Sequence, residues 1–209
     1  MLNKNYKAAT GESWHGRIDS TEDFDAFRWH QWVKYIDLND ESLEPFDGKL
    51  GFAFLGFKSD YGIFLNKGRT GAANGPDSIR SELSNKPCQF SKDLRLCDAG
   101  NIEIGSSTLD EAQEALAEAV AKVLSLNLFP IVLGGGHETA FGHYKGLLKH
   151  FDSVNTKESV GIINFDAHFD IRPYPNGGTS GTMFRQTHDM CVEEDLDYNY
   201  LCLGIQQHS

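Results

Sequence analysis

The sequence lacks any long apolar run. Nowhere does it approach the roughly 20 residues that cross a bilayer as a helix, so a spanning helix is excluded. Residues 1–17, "MLNKNYKAATGESWHGR", hold neither an apolar stretch nor a small-residue cleavage site, and no secretory leader is expected. Basic residues are scarce: 19 Lys and Arg against 30 Asp and Glu give a net charge of −11. Such a chain repels a phosphate backbone and offers no anchor to anionic lipid, so neither nucleic acid nor membrane is an expected partner. Cysteine is sparse as well. Cys88, Cys97, Cys191 and Cys202 form no C-x-x-C pair and no zinc-ribbon spacing. Reduced thiols in a cytoplasmic protein are therefore expected, not a disulfide framework. Repeats, low-complexity tracts and linkers are absent, which leaves one domain over residues 1–209 as the economical reading.

What is present is an alternation of strand and helix patterns. "KLGFAFLGF" (49–57) is a short apolar run that reads as a buried strand, and "LCDAGNIEIG" (96–105) as a second strand or a strand edge. "GRTGAANGPDSIRSEL" (68–83) opens as a glycine-rich loop and becomes a helix at Pro76. Thr108 and Glu111 form a capping box ahead of an amphipathic helix carrying Leu109, Ala112, Leu116, Ala119, Val120, Val123 and Leu124 at helical spacing. "LFPIVLGGGHE" (128–138) is a strand running into a glycine turn, with a helix expected over 139–151. Further strands are expected at 159–165 and 199–205. This order predicts a mostly parallel sheet with helices on both faces. Residues 1–47, which hold Trp14, Trp29 and Trp32, read as an irregular arm over the core, serving either as a subunit contact or as a lid.

In such sheets, ligands sit beyond the carboxyl ends of the strands. Two strand ends carry chemistry. In "NFDAHFD" (164–170), Asp166, His168 and Asp170 have the alternate spacing that places side chains on one side of an extended segment. Two carboxylates and an imidazole are costly to bury there unless paired or bound to a cation. At the other strand end, His137 follows three glycines, which permit a tight turn and close backbone approach. If the two strands are sheet neighbours, their ends lie about 5 Å apart and His137 faces the acidic row. Two imidazoles and two carboxylates suit Mn²⁺, with Zn²⁺ or Fe²⁺ as alternatives. His15, His30, His143, His150, His188 and His208 lack such partners and are read as structural or solvated. "LGGGHE" is not a P-loop, because the lysine and hydroxyl of that motif are missing.

"GGGHE", "NFDAHFD" and "SGTMFRQ", in that order, resemble the ureohydrolase family of arginase, agmatinase and formimidoylglutamase. "GRTGAANGPDSIR" matches the glycine-rich N-terminal segment of that family, and the likeness runs from about residue 49 to the end. "DAHFDIRPY" followed by "GGTSGTMFRQ" is most similar to the formimidoylglutamase branch. The resemblance implies a three-layer α/β/α, arginase-like fold and a two-manganese centre. It places His137 and Asp170 on one ion, His168 on the other, and Asp166 between them. Related members often have an aspartate where this chain has Gly136, and arginases a histidine where it has Phe184, which argues against arginine as substrate. Two further aspartate ligands belong to a later strand that does not occur here. The acids Asp189, Glu193, Glu194, Asp195 and Asp197 are read as a polar connector. The expectation is a domain truncated at its C-terminus, with a last strand lacking its cover.

The activity implied is hydrolysis of N-formimidoyl-L-glutamate to L-glutamate and formamide, a step of histidine degradation. An activated water adds to the formimidoyl carbon and an acid, which the sequence does not identify, protonates the leaving nitrogen. A dicarboxylate substrate calls for arginine, whose planar fork matches a carboxylate. Arg185 and Arg172 are the first candidates and Arg69 the third, with Asn176, Thr179, Ser180 and Gly181 framing the substrate. Family members are commonly oligomeric, so a homo-oligomer is implied. Two rival readings stand: another ureohydrolase, such as agmatinase or guanidinobutyrase, and an inactive truncated homologue holding at most one metal.

Overall fold

The strand Gly51–Lys58 (β3) organises the computed structural model, which describes residues 1–156, 158 and 160–207. Ser159, where the strand expected at 159–165 begins, and His208 lie outside the described residues. β3 pairs in parallel with Arg95–Glu103 (β4) on one side and with Phe129–Leu133 (β5) on the other. Two arm segments extend the sheet through β4: Tyr6–Lys7 (β1) antiparallel and Lys34–Tyr35 (β2) parallel. A bulge in β4 shifts the register between Phe54 and Gly56, and Gly100 adopts a φ of 81° there.

Alternation along β3 sends successive side chains to opposite layers. Ala53, Leu55 and Phe57 meet the helix Leu109–Ser125 (α4) through Leu116, Val120 and Val123. Both halves of the expected capping box start α4 at Thr108 and Glu111. A second helix, Thr139–Ser153 (α5), packs outside α4. Gly142 and Gly146 permit this contact, because a Cβ at Gly146 would lie 2.6 Å from Val120. The other face of β3 carries Phe52 and Phe54, which pack with Trp14, Trp29, Trp32 and Leu83. Leu83 belongs to the helix Gly75–Ser84 (α3), which opens at Pro76 as expected. The arrangement is the mostly parallel sheet with both faces covered that the strand–helix alternation predicts.

The arm is held on this face by a buried ion pair. Arg80 of α3 has Nε 2.7 Å from Asp98 Oδ2, both side chains almost fully buried. Arg80 Nη2 donates to Asp98 Oδ1 at 2.9 Å and Nη1 to Asn101 Oδ1 at 2.7 Å. Trp14 Nε1 donates to the same carboxylate, so one buried anion joins arm, helix and strand.

Two expectations change. The strand Gly161–Phe165 (β6) does not join β5. Among the described residues it pairs only with Asn199–Leu203 (β7), in parallel, in a separate two-stranded sheet. The segment read as a polar connector contains a helix, Met183–Glu193 (α6), whose buried face is Met183, Phe184, Thr187 and Cys191. The acids hid it, but Met183, Thr187 and Cys191 recur every fourth residue. α6 docks on α5, where Tyr144 Oη and Cys191 Sγ are 3.2 Å apart. One face of the small sheet is open: Ile163, Phe165, Leu201 and Leu203 are exposed, Phe165 by 81%.

Replacing Asp98 with alanine strands the Arg80 guanidinium in the core, and a loss of about 3–5 kcal/mol is expected. Urea unfolding followed by tryptophan fluorescence measures it. A loss below about 1 kcal/mol would show that the ion pair does not anchor the arm.

Candidate metal centre

The turn after β5 is fixed before any side chain acts. Gly135 N–H donates to Phe57 O at 3.0 Å and Gly136 N–H to Ser59 O at 2.8 Å, so the turn leans on the end of β3. Neither Gly134, Gly135 nor Gly136 has a positive φ; at Gly135 and Gly136 it is space, not conformation, that demands glycine. A Cβ at Gly135 would lie 2.0 Å from Ser59 O, and one at Gly136 1.8 Å from Glu138 Oε2. His137 then projects beyond the carboxyl end of β5.

The acidic segment arrives from β6. His137 Nδ1 lies 2.8 Å from Asp170 Oδ2 and 3.1 Å from Asp166 Oδ2. His137, Asp166 and Asp170 form a group whose ligand atoms all lie within 4.8 Å of one another, each half-buried. The segment is not the extended row that its spacing suggested. It turns directly after β6: His168 N–H donates to Asp166 Oδ1, and Asp170 takes a left-handed φ of 50°. The turn brings Asp170 back beside Asp166 and leaves the His168 side chain 52% exposed, outside the group. His168 Nδ1 is still 3.4 Å from Asp166 Oδ1. The two oxygens of Asp166 thus address different imidazoles.

α6 closes one side. Phe184 N–H donates to Asp170 O, and its ring meets the His137 imidazole edge-on with centroids 5.4 Å apart. Tyr200 packs on Phe184 and donates to Phe169 O. The helix Tyr61–Leu65 (α2) borders another side. There Gly62 receives the Glu138 carboxylate on its N–H, while its carbonyl accepts Ser180 N–H at 3.1 Å. Burial pushes the Glu138 carboxyl above the usual carboxylate range.

Among the other sequence candidates, Arg172 N–H donates to Gly181 O, and its Nη1 to Asn66 Oδ1 at 3.1 Å. Thr179, Ser180 and Gly181 lie in that same turn, with Asn176 exposed just before it. Arg185 stands exposed on α6, its Nε shared between both oxygens of Asp189 at 3.1 and 3.2 Å. Asp189 is held below the usual carboxylate range by hydrogen bonds from His188, Tyr174 and Arg185. Arg185 borders a cavity of about 400 Å³ with Pro173, Tyr174 and Pro175. Arg69 is exposed in the glycine-rich loop, which Asp60 holds through Gly71 N–H. A cavity of about 520 Å³ lies at the opposite end of the sheet against Lys49, Arg95 and Leu96. It has no part in this centre.

The donor set fits a divalent cation. Two carboxylates and one imidazole converge from two separate sheets, leaving an uncompensated concentration of oxygen donors that a hard or borderline ion balances. Sequence reasoning missed Glu138, Asn66 and Gly62. Glu138 stands in the quoted motif, but only the fold reveals that its side chain points back beneath the turn.

The model of the arginase family matches residues 50–209. A protein of Clostridium tetani named formimidoylglutamase is 60% identical over the whole chain. One of Streptococcus pyogenes with the same name is 42% identical over 99% of the chain. A crystal structure of a Trypanosoma cruzi formiminoglutamase variant with Mn²⁺ superposes with a TM-score of 0.63 at 33% identity, over 77% of this chain and 53% of that one. The chain spans 62% and 61% of the length of the two curated relatives.

Asp170→Asn is expected to weaken the tightest-bound divalent ion by at least about tenfold in a calorimetric Mn²⁺ titration. His168→Ala is expected to leave that ion nearly unaffected. Equal losses in both variants would show that His137, Asp166 and Asp170 are not the primary site.

Proposed function

The chain belongs to the arginase family, and from that premise we propose that it is the metal-bearing part of a formimidoylglutamase. The reaction is N-formimidoyl-L-glutamate plus water giving L-glutamate and formamide. The observation that carries this reading is the convergence of His137, Asp166 and Asp170, within a chain 60% identical to a formimidoylglutamase.

His137, Asp166 and Asp170 would hold one Mn²⁺, and the second oxygen of Asp166 with His168 would begin a second position. Manganese supplies Lewis acidity, which makes water nucleophilic near neutral pH. The rest falls to the chain's own residues. Phe184 and Tyr200 wall one side of the centre with aromatic surface and limit the water that reaches it. Phe184 also takes the place of a polar side chain beside His137, which suits a short formimidoyl group. Arg185 keeps its guanidinium fixed through Nε on Asp189 and would offer its terminal nitrogens to a carboxylate. Arg172, steadied by Asn66 and Gly181, offers a second cationic fork, and Arg69 a third on the glycine-rich loop. Ser180, Thr179, Gly181 and Asn176 then frame the amino-acid end. We infer a small dicarboxylate substrate, a homo-oligomeric assembly and a cytoplasmic setting.

A Mn²⁺-loaded domain that carries this chain at the full length of its relatives is expected to release formamide from N-formimidoyl-L-glutamate and to leave agmatine untouched. Arg172→Ala and Arg185→Ala are each expected to raise KM about 10–100-fold with a smaller change in kcat, the factor carried by a lost charge-assisted hydrogen bond. Comparable turnover of agmatine, or unchanged KM in both variants, would sink the reading.

A further inference from the structure

Glu138 has no part in the chemistry described above, yet its side chain is fully buried directly beneath the metal-bearing turn. Its Oε1 accepts the buried N–H of Gly62 at 2.9 Å. Its Oε2 has no hydrogen-bond partner among the described residues and lies where a Cβ at Gly136 would stand, 1.8 Å away. The carboxyl group also occupies the space above Gly62, whose own Cβ would come 2.6 Å from Glu138 Cδ. Two glycines on separate segments are therefore hollowed out around one carboxyl group.

The connections run on from there. Glu138 O accepts Gln113 Nε2 from α4 at 2.8 Å, which fixes the backbone next to His137. The Gly62 carbonyl accepts Ser180 N–H at 3.1 Å, from the turn that holds Thr179 and Gly181. Gly62 is thus a two-sided junction. One side is gripped by the residue after His137, and the other grips the 179–181 turn. No other side-chain hydrogen bond joins the His137 turn to α2 among the described residues.

We propose that Glu138 is a positioning residue that buckles the His137 turn to the 179–181 turn through Gly62, and that Gly136 is glycine because Glu138 fills its side-chain space. The link to metal rests on the function proposed above; the buckle itself does not. The backbone at Gly136 is open to any residue, so its substitution tests space alone.

Two readouts test the proposal. The first is Mn²⁺ affinity by calorimetry, and the second is amide hydrogen exchange at Gly62 and Ser180 by NMR. Glu138→Ala is expected to deprotect both amides and to weaken Mn²⁺ binding at least about tenfold. Glu138→Gln keeps the acceptor and the bulk, and is expected to restore protection and affinity close to those of the unaltered chain. Gly136→Ala is expected to be damaging alone and nearly neutral in the Glu138→Ala background, because the clash is then gone. Unchanged exchange in Glu138→Ala, or a harmless Gly136→Ala with Glu138 in place, would overturn the proposal. If Glu138→Ala fails to fold, Glu138→Gln and Gly136→Ala still decide it. If the unaltered chain binds no Mn²⁺, the metal reading fails, and the exchange measurements judge the buckle separately.

Discussion

At Gly135 two stretches of backbone approach so closely that no side chain fits between them, and the rest of the centre is arranged from that contact. The N–H groups of Gly135 and Gly136 are spent on carbonyls at the end of β3. Buried backbone donors and acceptors must find partners, so a turn tied twice to a central strand moves only if that strand moves. His137 inherits this rigidity. Asp166 and Asp170 are placed by contact with His137, Phe184 by contact with Asp170 and His137, and Tyr200 by contact with Phe184. Order passes outward from backbone to side chain to neighbouring helix.

A second centre of order lies across β3, where the nearly buried Asp98 accepts from an arginine and a tryptophan. A buried ion pair contributes little net stability over a well-packed apolar pair, but it tolerates few alternative partners. The first 47 residues have little regular structure of their own. Trp14 finds its place through one carboxylate, and Trp29 and Trp32 complete the apolar layer over Phe54. The tryptophans of the arm thus cover the face opposite α4, while Tyr6 and Leu38 pack into the core on the α4 side.

Local patterns made much of this legible. The capping box at Thr108, the apolar run of β3 and Pro76 at the start of α3 are short-range signals, and each appears where its residues stand. The residue types at the two strand ends suggested a cation site, and three of the four candidates, His137, Asp166 and Asp170, come together. Their geometry was not legible. The spacing of Asp166, His168 and Asp170 suggests an extended row, while the Asp166 side chain caps the His168 amide and turns the chain, and Asp170 completes the reversal at positive φ. Aspartate is among the few residues that accept both roles, so the same side chains that suggest a ligand row also dismantle it. Strand pairing between β5 and β6 is a long-range matter that periodicity does not address. α6 escaped because the acids in its second half and just beyond its end, Asp189, Glu193, Glu194, Asp195 and Asp197, drew the linear reading toward a connector. Glu138 escaped because a glutamate after a histidine reveals nothing about pointing backward under glycine.

The two sheets are joined by no strand pairing among the described residues. His137 rides on the larger one, while Asp166 and Asp170 hang from the smaller, whose docking relies on α6 against α5 and on a few turns. A cation drawn between them is a fastener, and its apparent dissociation constant is the intrinsic one divided by the docked fraction. A surface that covers Ile163, Phe165, Leu201 and Leu203 and also bears on the larger sheet binds the docked arrangement better and raises that fraction. It would tighten the grip on the ion from the far side of the strands, without contributing a single ligand.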